Sequence, residues 1–352
     1  MGGMENHCAL LCDGLRRAGH EVTLFAAAGT SQPGLRAICD PYERHLPWDV
    51  WHGTPELAEY QRIAFESCWD MVERGGFDVV HNNSLYPAIM DWAADAGVPL
   101  VTSQHVPPFG PMREAVGRTA WSGQVITLTS ESQRALWQAA DGIDMRVVPN
   151  GVDCNVWTPG GPVGDHLIWS GRITPNKGLV EAVSAAKIAD LPLLICGPIE
   201  DSTYFEMAVG PLLDDQRRYL GHRDSGRLRE LVSSARAALV TPMWDEPFGL
   251  VAAEALACGV PVAAFDRGGL REVVGPAGVL APGGDVEALA DALSTSLTLD
   301  REACRAHALA HLSVEAMIDG YERCYADAIA NCRGGAAASR ASNCSSTQAL
   351  LA

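Results

Sequence analysis

The run Asp245-Glu246-Pro247-Phe248-Gly249-Leu250-Val251-Ala252-Ala253-Glu254 sets two carboxylates around a Pro-Phe-Gly turn. A strand reading ends just before it at Thr241. Pro247 suits a first helical turn, and Gly249 lets the backbone approach a ligand closely. Glu254 then falls inside an otherwise apolar helix, flanked by Ala253, Ala255, Leu256 and Ala257. A carboxylate there is costly unless it is paired or meets the polar groups of a ligand. Hydroxyls of a sugar or ribose are such groups. The helix dipole accounts for Asp245 and Glu246 near a helix start but leaves Glu254 unexplained.

A second run, Ser170-Gly171-Arg172-Ile173-Thr174-Pro175-Asn176-Lys177-Gly178, follows a strand and opens a helix. Backbone amides and the dipole favour an anion at such a junction. Arg172 offers a fork of donors to phosphate, and Lys177 adds a point charge. Lys177 is one of only two lysines, the other being Lys187. Taken alone, the run reads equally well as a solvated turn with two surface charges. Two further features are weaker. Gly2-Gly3-Met4-Glu5-Asn6-His7 is a Gly-rich turn opening a helix. Thr102-Ser103-Gln104-His105 puts a histidine just past a strand end, where a structural role is the commoner one.

These runs need a scaffold, and the alternation of short apolar strands with helices supplies one. A helix over Asn6–Ala18 precedes a strand at Glu21–Ala27. Strands follow at Phe77–His81, Val98–Thr102, Val125–Thr129 and Arg146–Pro149. The Pro/Gly-rich stretch Thr158–Gly164 marks a linker. The pattern restarts with strands at His166–Ser170, Leu191–Cys196, Ala237–Thr241 and Pro261–Phe265, with helices at Leu179–Ala189, Gly226–Ala235 and Pro247–Ala257. Such alternation predicts an α/β fold of two doubly wound halves, each offering the carboxyl ends of its strands to a cleft. Ser313–Ala330 reads as an amphipathic helix. Residues 331–352, rich in Ala, Ser, Gly and Asn, read as a disordered tail.

The 352 residues are 47% hydrophobic and 20% charged, ordinary globular values that fit two domains. A formal charge of -17 argues against binding nucleic acid non-specifically and weakens docking to an anionic membrane beyond a peripheral contact. No apolar run is long enough to span a bilayer, and the start lacks the features of a signal peptide, so a cytoplasmic location is expected. The eleven cysteines include no C-x-x-C pair, so reduced thiols and no metal site are expected.

Taken together, the four runs resemble the family 4 glycosyltransferases (glycosyl transferases group 1), retaining enzymes of GT-B architecture. The similarity runs to about residue 330. Its most specific piece is the Glu-x7-Glu pattern from Glu246 to Glu254 with EPFG inside. Supporting pieces are Gly19–Val22, Val148–Asp153, Gly171-Arg172, Lys177-Gly178 and Ala257–Val262. The resemblance implies domains over 1–157 (acceptor side) and 165–312 (nucleotide-sugar donor), with the helix at 313–330 crossing back to the first. Arg172 and Lys177 would neutralise the donor diphosphate, Glu254 would accept from the ribose, and Glu246 would hold the transferred sugar. Backbone amides of Phe248, Gly249 and Leu250 would touch sugar and phosphate. Gly2 and Gly3 would let a loop approach the phosphate or acceptor, and His105 would align the sugar. Gly197 and Gly221 stand where the family lines its base pocket. The implied activity is a metal-independent hexosyl transfer (EC 2.4) from a nucleotide-diphosphate sugar of UDP or GDP type to a small-molecule or glycan acceptor, with no cofactor. A phosphorylase of the same architecture and a non-catalytic sugar-nucleotide binder remain open alternatives.

One departure stands out. The family pattern puts a β-strand before the Gly-rich turn, whereas Gly2-Gly3 here follow Met1 directly. Either the natural chain starts upstream, or the N-terminal sheet lacks its central strand.

Overall fold

The computed structural model describes residues 3–41, 53–119, 121, 123–137, 143–336 and 347–351. The chain forms two compact units. The first comprises Met1–Leu128, Arg134–Val148 and Ile318–Ala352, and the second Thr129–Gln133 and Pro149–Met317. Each is built on one wholly parallel sheet.

In the first unit α1 (Gly3–Arg17) leads into β1 (Glu21–Ala27) and β2 (Leu35–Cys39). α2 (Pro55–Gly75), β3 (Val79–Asn82), α3 (Ala88–Ala96), β4 (Leu100–Gln104), α4 (Gly110–Arg118), β5 (Gln124–Leu128), α5 (Glu131–Trp137) and β6 (Asp144–Val147) follow. β3, β4 and β5 are buried along their whole length, as strands covered on both faces must be. The helices are bounded by local chemistry. Thr54 caps α2 by accepting from the Leu57 amide at 3.2 Å, and left-handed Gly76 and Gly97 end α2 and α3.

The second unit runs β7 (Leu167–Ser170), α6 (Leu179–Ile188), β8 (Leu193–Cys196), β9 (Arg217–Tyr219), α7 (Ser225–Ser233), β10 (Ala238–Val240), α8 (Leu250–Ala257), β11 (Val262–Phe265), α9 (Leu270–Val274), β12 (Gly278–Ala281), α10 (Val286–Ser296) and α11 (Arg301–His311). Its strand order is β12-β11-β10-β7-β8-β9. The winding direction therefore reverses between β10 and β7, and ligands of such sheets sit beyond the carboxyl ends of the strands at that point. α12 (Val314–Ala336) begins in the second unit and continues into the first.

One expectation for the chain's ends is corrected. The tail was read as disordered over 331–352, yet α12 extends through Ala336 and Thr347–Leu351 form a strand, β13. Among the described residues no strand precedes α1, and the order of the first sheet is β2-β1-β13-β3-β4-β5-β6. β13 fills the gap in parallel with both neighbours, Leu350 standing opposite Leu24 on one side and His81 on the other. Ala349 and Leu350 are buried. Without β13, β1 and β3 would each present a row of unpaired peptide groups inside the sheet, so any apolar extended segment that reaches the slot is stabilised there.

The helix expected from Pro247 starts later, at Leu250. Gly249 precedes it at φ 104°, a left-handed conformation that cannot belong to the helix. None of the ten described cysteines forms a disulfide. Among the described residues no helix is long and apolar enough to cross a membrane, and no three His, Cys, Asp or Glu side chains gather as a metal site would need.

Candidate donor site

The loops after β7 and β10 carry the charged residues singled out from sequence. Gly178, at φ 67°, ends the first loop. A Cβ there would lie 1.8 Å from the Thr241 carbonyl oxygen, so only glycine lets the two loops meet this closely. Thr241 Oγ1 donates to the Gly178 carbonyl at 2.7 Å and accepts from Trp169 Nε1 at 3.1 Å, while the Met243 amide donates to Asn176 at 2.9 Å. These bonds fix where Lys177 and Glu246 project.

Lys177 Nζ lies 2.7 Å from Glu246 Oε2, with the two side chains 22% and 16% exposed. The Trp244 indole N–H donates to the same oxygen at 3.1 Å, and Lys177 Nζ lies 5.2 Å from the centre of the Trp244 ring. Arg172 is apart from this group. It is 60% exposed and pairs with Glu200 at 3.1 Å. The backbone of Glu246 is held as firmly as its side chain. Its carbonyl accepts from the Gly269 amide at 2.7 Å, and a Cβ on Gly268 would come within 2.2 Å of that carbonyl oxygen. The next carbonyl, of Pro247, accepts from the hydroxyls of Thr129 at 2.9 Å and Ser130 at 2.8 Å.

Phe248 is buried beneath the turn. Gly249 packs so tightly that an added Cβ would reach 2.4 Å from Leu270. The first amides of α8, beginning at Leu250, have no partner within their own helix. One turn further along α8, Glu254 makes no side-chain hydrogen bond or ion pair among the described residues. Part of its surface reaches solvent, but the carboxylate lies low among apolar neighbours, and burial pushes its pKa up to about 8. An unpaired carboxylate carrying that cost is poised for hydroxyl donors.

The glycines beyond β7, β8 and β9 also converge. A Cβ on Gly197 would lie 1.7 Å from the Gly171 carbonyl oxygen, and the Gly197 amide donates to Gly221 at 3.2 Å. Tyr219 Oη donates to the Gly197 carbonyl at 2.8 Å.

In the first unit Gly3 opens α1 and is exposed, while Gly2 lies outside the described residues. His105 is half-buried, its Nε2 lies 3.4 Å from Asn83 Oδ1, and its ring packs 4.3 Å from that of His7. Behind it sits a neutral polar layer. His81 is held between Tyr325 at 2.6 Å and Ser103 at 2.7 Å, and burial with the nearby His105 lowers its pKa to about 3. His7 is also buried and held well below the usual histidine range, by burial first and by His105 and His81 next. Sequence reasoning named neither histidine as functional and missed Trp244. The signal for Trp244 was its place two residues before Glu246.

A model of glycosyl transferases group 1 matches residues 165–309, and a model of glycosyltransferase family 4 matches residues 1–156. The D-inositol 3-phosphate glycosyltransferase of Mycolicibacterium smegmatis is 31% identical over 93% of this chain and 87% of its own length. The chain belongs to the family 4, group 1 glycosyltransferases. It is a glycosyltransferase with two Rossmann-like parallel-sheet domains, the GT-B fold class read from its sequence. AviGT4, a glycosyltransferase of avilamycin A biosynthesis, superposes with a TM-score of 0.69 at 25% identity, covering 94% of this chain and 91% of its own. HepE from Anabaena, solved with UDP and glucose, superposes at 0.68 and 20% identity, covering 92% and 95%.

Proposed function

We propose that this glycosyltransferase takes its sugar from a nucleotide-diphosphate donor of UDP or GDP type and transfers it, with retention, to a hydroxyl of a small-molecule or glycan acceptor. The observation that carries the reading is the cation–carboxylate pair Lys177–Glu246 at the carboxyl ends of β7 and β10, where the strand order reverses. As the bond from the sugar to phosphate breaks, its electrons pass to the diphosphate and positive charge builds on the sugar. Lys177 and Arg172 stabilise the departing negative charge, as fixed cations aimed at developing charge do. Glu246 accepts from the hydroxyls of the transferred sugar. Glu254 accepts from the ribose, which answers its lack of a partner among the described residues. The amides of Phe248, Gly249 and Leu250 approach sugar and phosphate, and Gly197 with Gly221 borders the base. In the first unit we assign Gly2 and Gly3 to the approach of phosphate or acceptor, and His105 to aligning the sugar. The acceptor hydroxyl attacks from the face the diphosphate leaves, and its proton passes to a phosphate oxygen.

Incubation with UDP-glucose or GDP-mannose and a panel of polyol acceptors, including inositol phosphate, tests this. Release of the nucleoside diphosphate with an α-linked product supports the reading. A β-linked product overturns retention, and sugar 1-phosphate appearing only with added phosphate makes the enzyme a phosphorylase.

A further inference from the structure

We propose that Trp244 is a positioning residue for the donor sugar, resting on the donor-site reading above. Its indole N–H and Lys177 Nζ both bond Glu246 Oε2, leaving Oε1 without a protein donor among the described residues. One oxygen is thereby anchored and the other is available to a sugar hydroxyl.

The two anchors differ in kind. Lys177 is a cation, and a diphosphate competes with Glu246 for it. The indole N–H is neutral and carried by a loop already tied down through Thr241, Met243 and the Glu246 carbonyl. When Lys177 turns to phosphate, Trp244 keeps the carboxylate in place. The face of the same ring lies beneath Lys177 at a distance suited to cation–π attraction, so the ammonium stays near both partners. The half-buried ring adds little to the core, which separates this role from a packing role.

The test titrates UDP, UDP-glucose, GDP and GDP-mannose into the full chain and follows turnover of the sugar nucleotide that the wild type uses. Trp244→Phe removes the N–H and keeps a ring. It should melt as the wild type does and bind the nucleoside diphosphate within about twofold, while kcat/KM falls about tenfold or more, the usual effect of losing a hydrogen bond to a charged group. Trp244→His, which restores a ring N–H, should recover part of the loss. The double variant with Glu246→Gln should be no slower than Glu246→Gln alone, because Trp244 acts through that carboxylate. Wild-type turnover by Trp244→Phe overturns the proposal, as does a double variant markedly slower than Glu246→Gln. A wild type that binds none of the four nucleotides overturns the donor-site reading instead, and this proposal with it.

Discussion

Polar groups of the two units are handled in opposite ways. Past β7 and β10, Lys177 pairs with Glu246 and Arg172 with Glu200, all reaching solvent, and Glu254 has no hydrogen-bond or ion-pair partner among the described residues. In the first unit, His7 on α1 and His81 within β3 are buried and held neutral; His81 is satisfied by Tyr325 and Ser103, while the His7 ring nitrogens have no hydrogen-bond partner among the described residues. The exposed Arg172–Glu200 pair contributes little stability, and the part-buried Lys177–Glu246 pair reaches solvent enough to be exchanged for a ligand's phosphates and hydroxyls. His81 does the reverse, because it must keep both partners and its neutral state. The charged groups of the second unit can thus trade partners, whereas His81 of the first holds its own.

The largest effect expected is on turnover. Lys177→Ala should lower it by about 10²–10³, the scale of removing one preorganised donor to developing charge, with circular dichroism unchanged. Loss of activity by unfolding would break the comparison, since Lys177 would then belong to the scaffold. Next come the backbone devices peculiar to each unit. Gly197→Ala must drive a Cβ into the Gly171 carbonyl, and Leu350→Asp would place a charge in the buried central strand. Each should cost about 3 kcal/mol or more. Limited proteolysis should find the loss confined to the second unit for Gly197→Ala and to the first for Leu350→Asp.

The pH response sharpens the contrast. The folded pKa of His81 lies near 3, below its unfolded value, so the unfolded chain binds the extra proton first. Stability of the first unit is full above about pH 6.5 and falls as pH drops toward 3, by about 1.4 kcal/mol per pH unit for one such histidine. His7 adds in the same direction. Glu254 titrates the other way. Its pKa is raised to about 8, so its contribution is full below about pH 4.5 and lost by about pH 8. Urea midpoints across pH 5–8 read both slopes, and Glu254→Gln should flatten only the second. The smallest effect is that of Arg172→Ala on stability. Its pair with Glu200 is exposed, so the change should stay within about 0.5 kcal/mol while nucleotide affinity falls.

Most of the scaffold was legible because apolar runs alternate cleanly. Glu21–Ala27 was read at the bounds the strand has. Glu254 was legible because a carboxylate among alanines contradicts its surroundings. Other features carry no such contradiction. β13 hides in a tail of Ser, Ala and Gly, its only sign a pair of leucines. It becomes a strand because a slot formed by residues more than 250 positions earlier needs one. β9 is three residues of Arg-Arg-Tyr, a pattern that says surface. The helix start at Pro247 was misplaced because the decisive fact is the sign of φ at Gly249, set by its packing on Leu270. His81 and Trp244 stayed unread because tertiary partners give them their meaning, Tyr325 for one and Lys177 with Glu246 for the other.

Lys177 and its neighbours are expected to bind a nucleoside diphosphate. Thermal unfolding of the whole chain against UDP, GDP, ADP and dTDP tests it most directly, with Lys177→Ala alongside. A nucleotide at 100 times its dissociation constant should stabilise the protein by about 2.7 kcal/mol. A raised midpoint with UDP or GDP, lost in Lys177→Ala, is the expected result. No shift with any nucleotide in a folded protein, or a shift that survives Lys177→Ala undiminished, would contradict it.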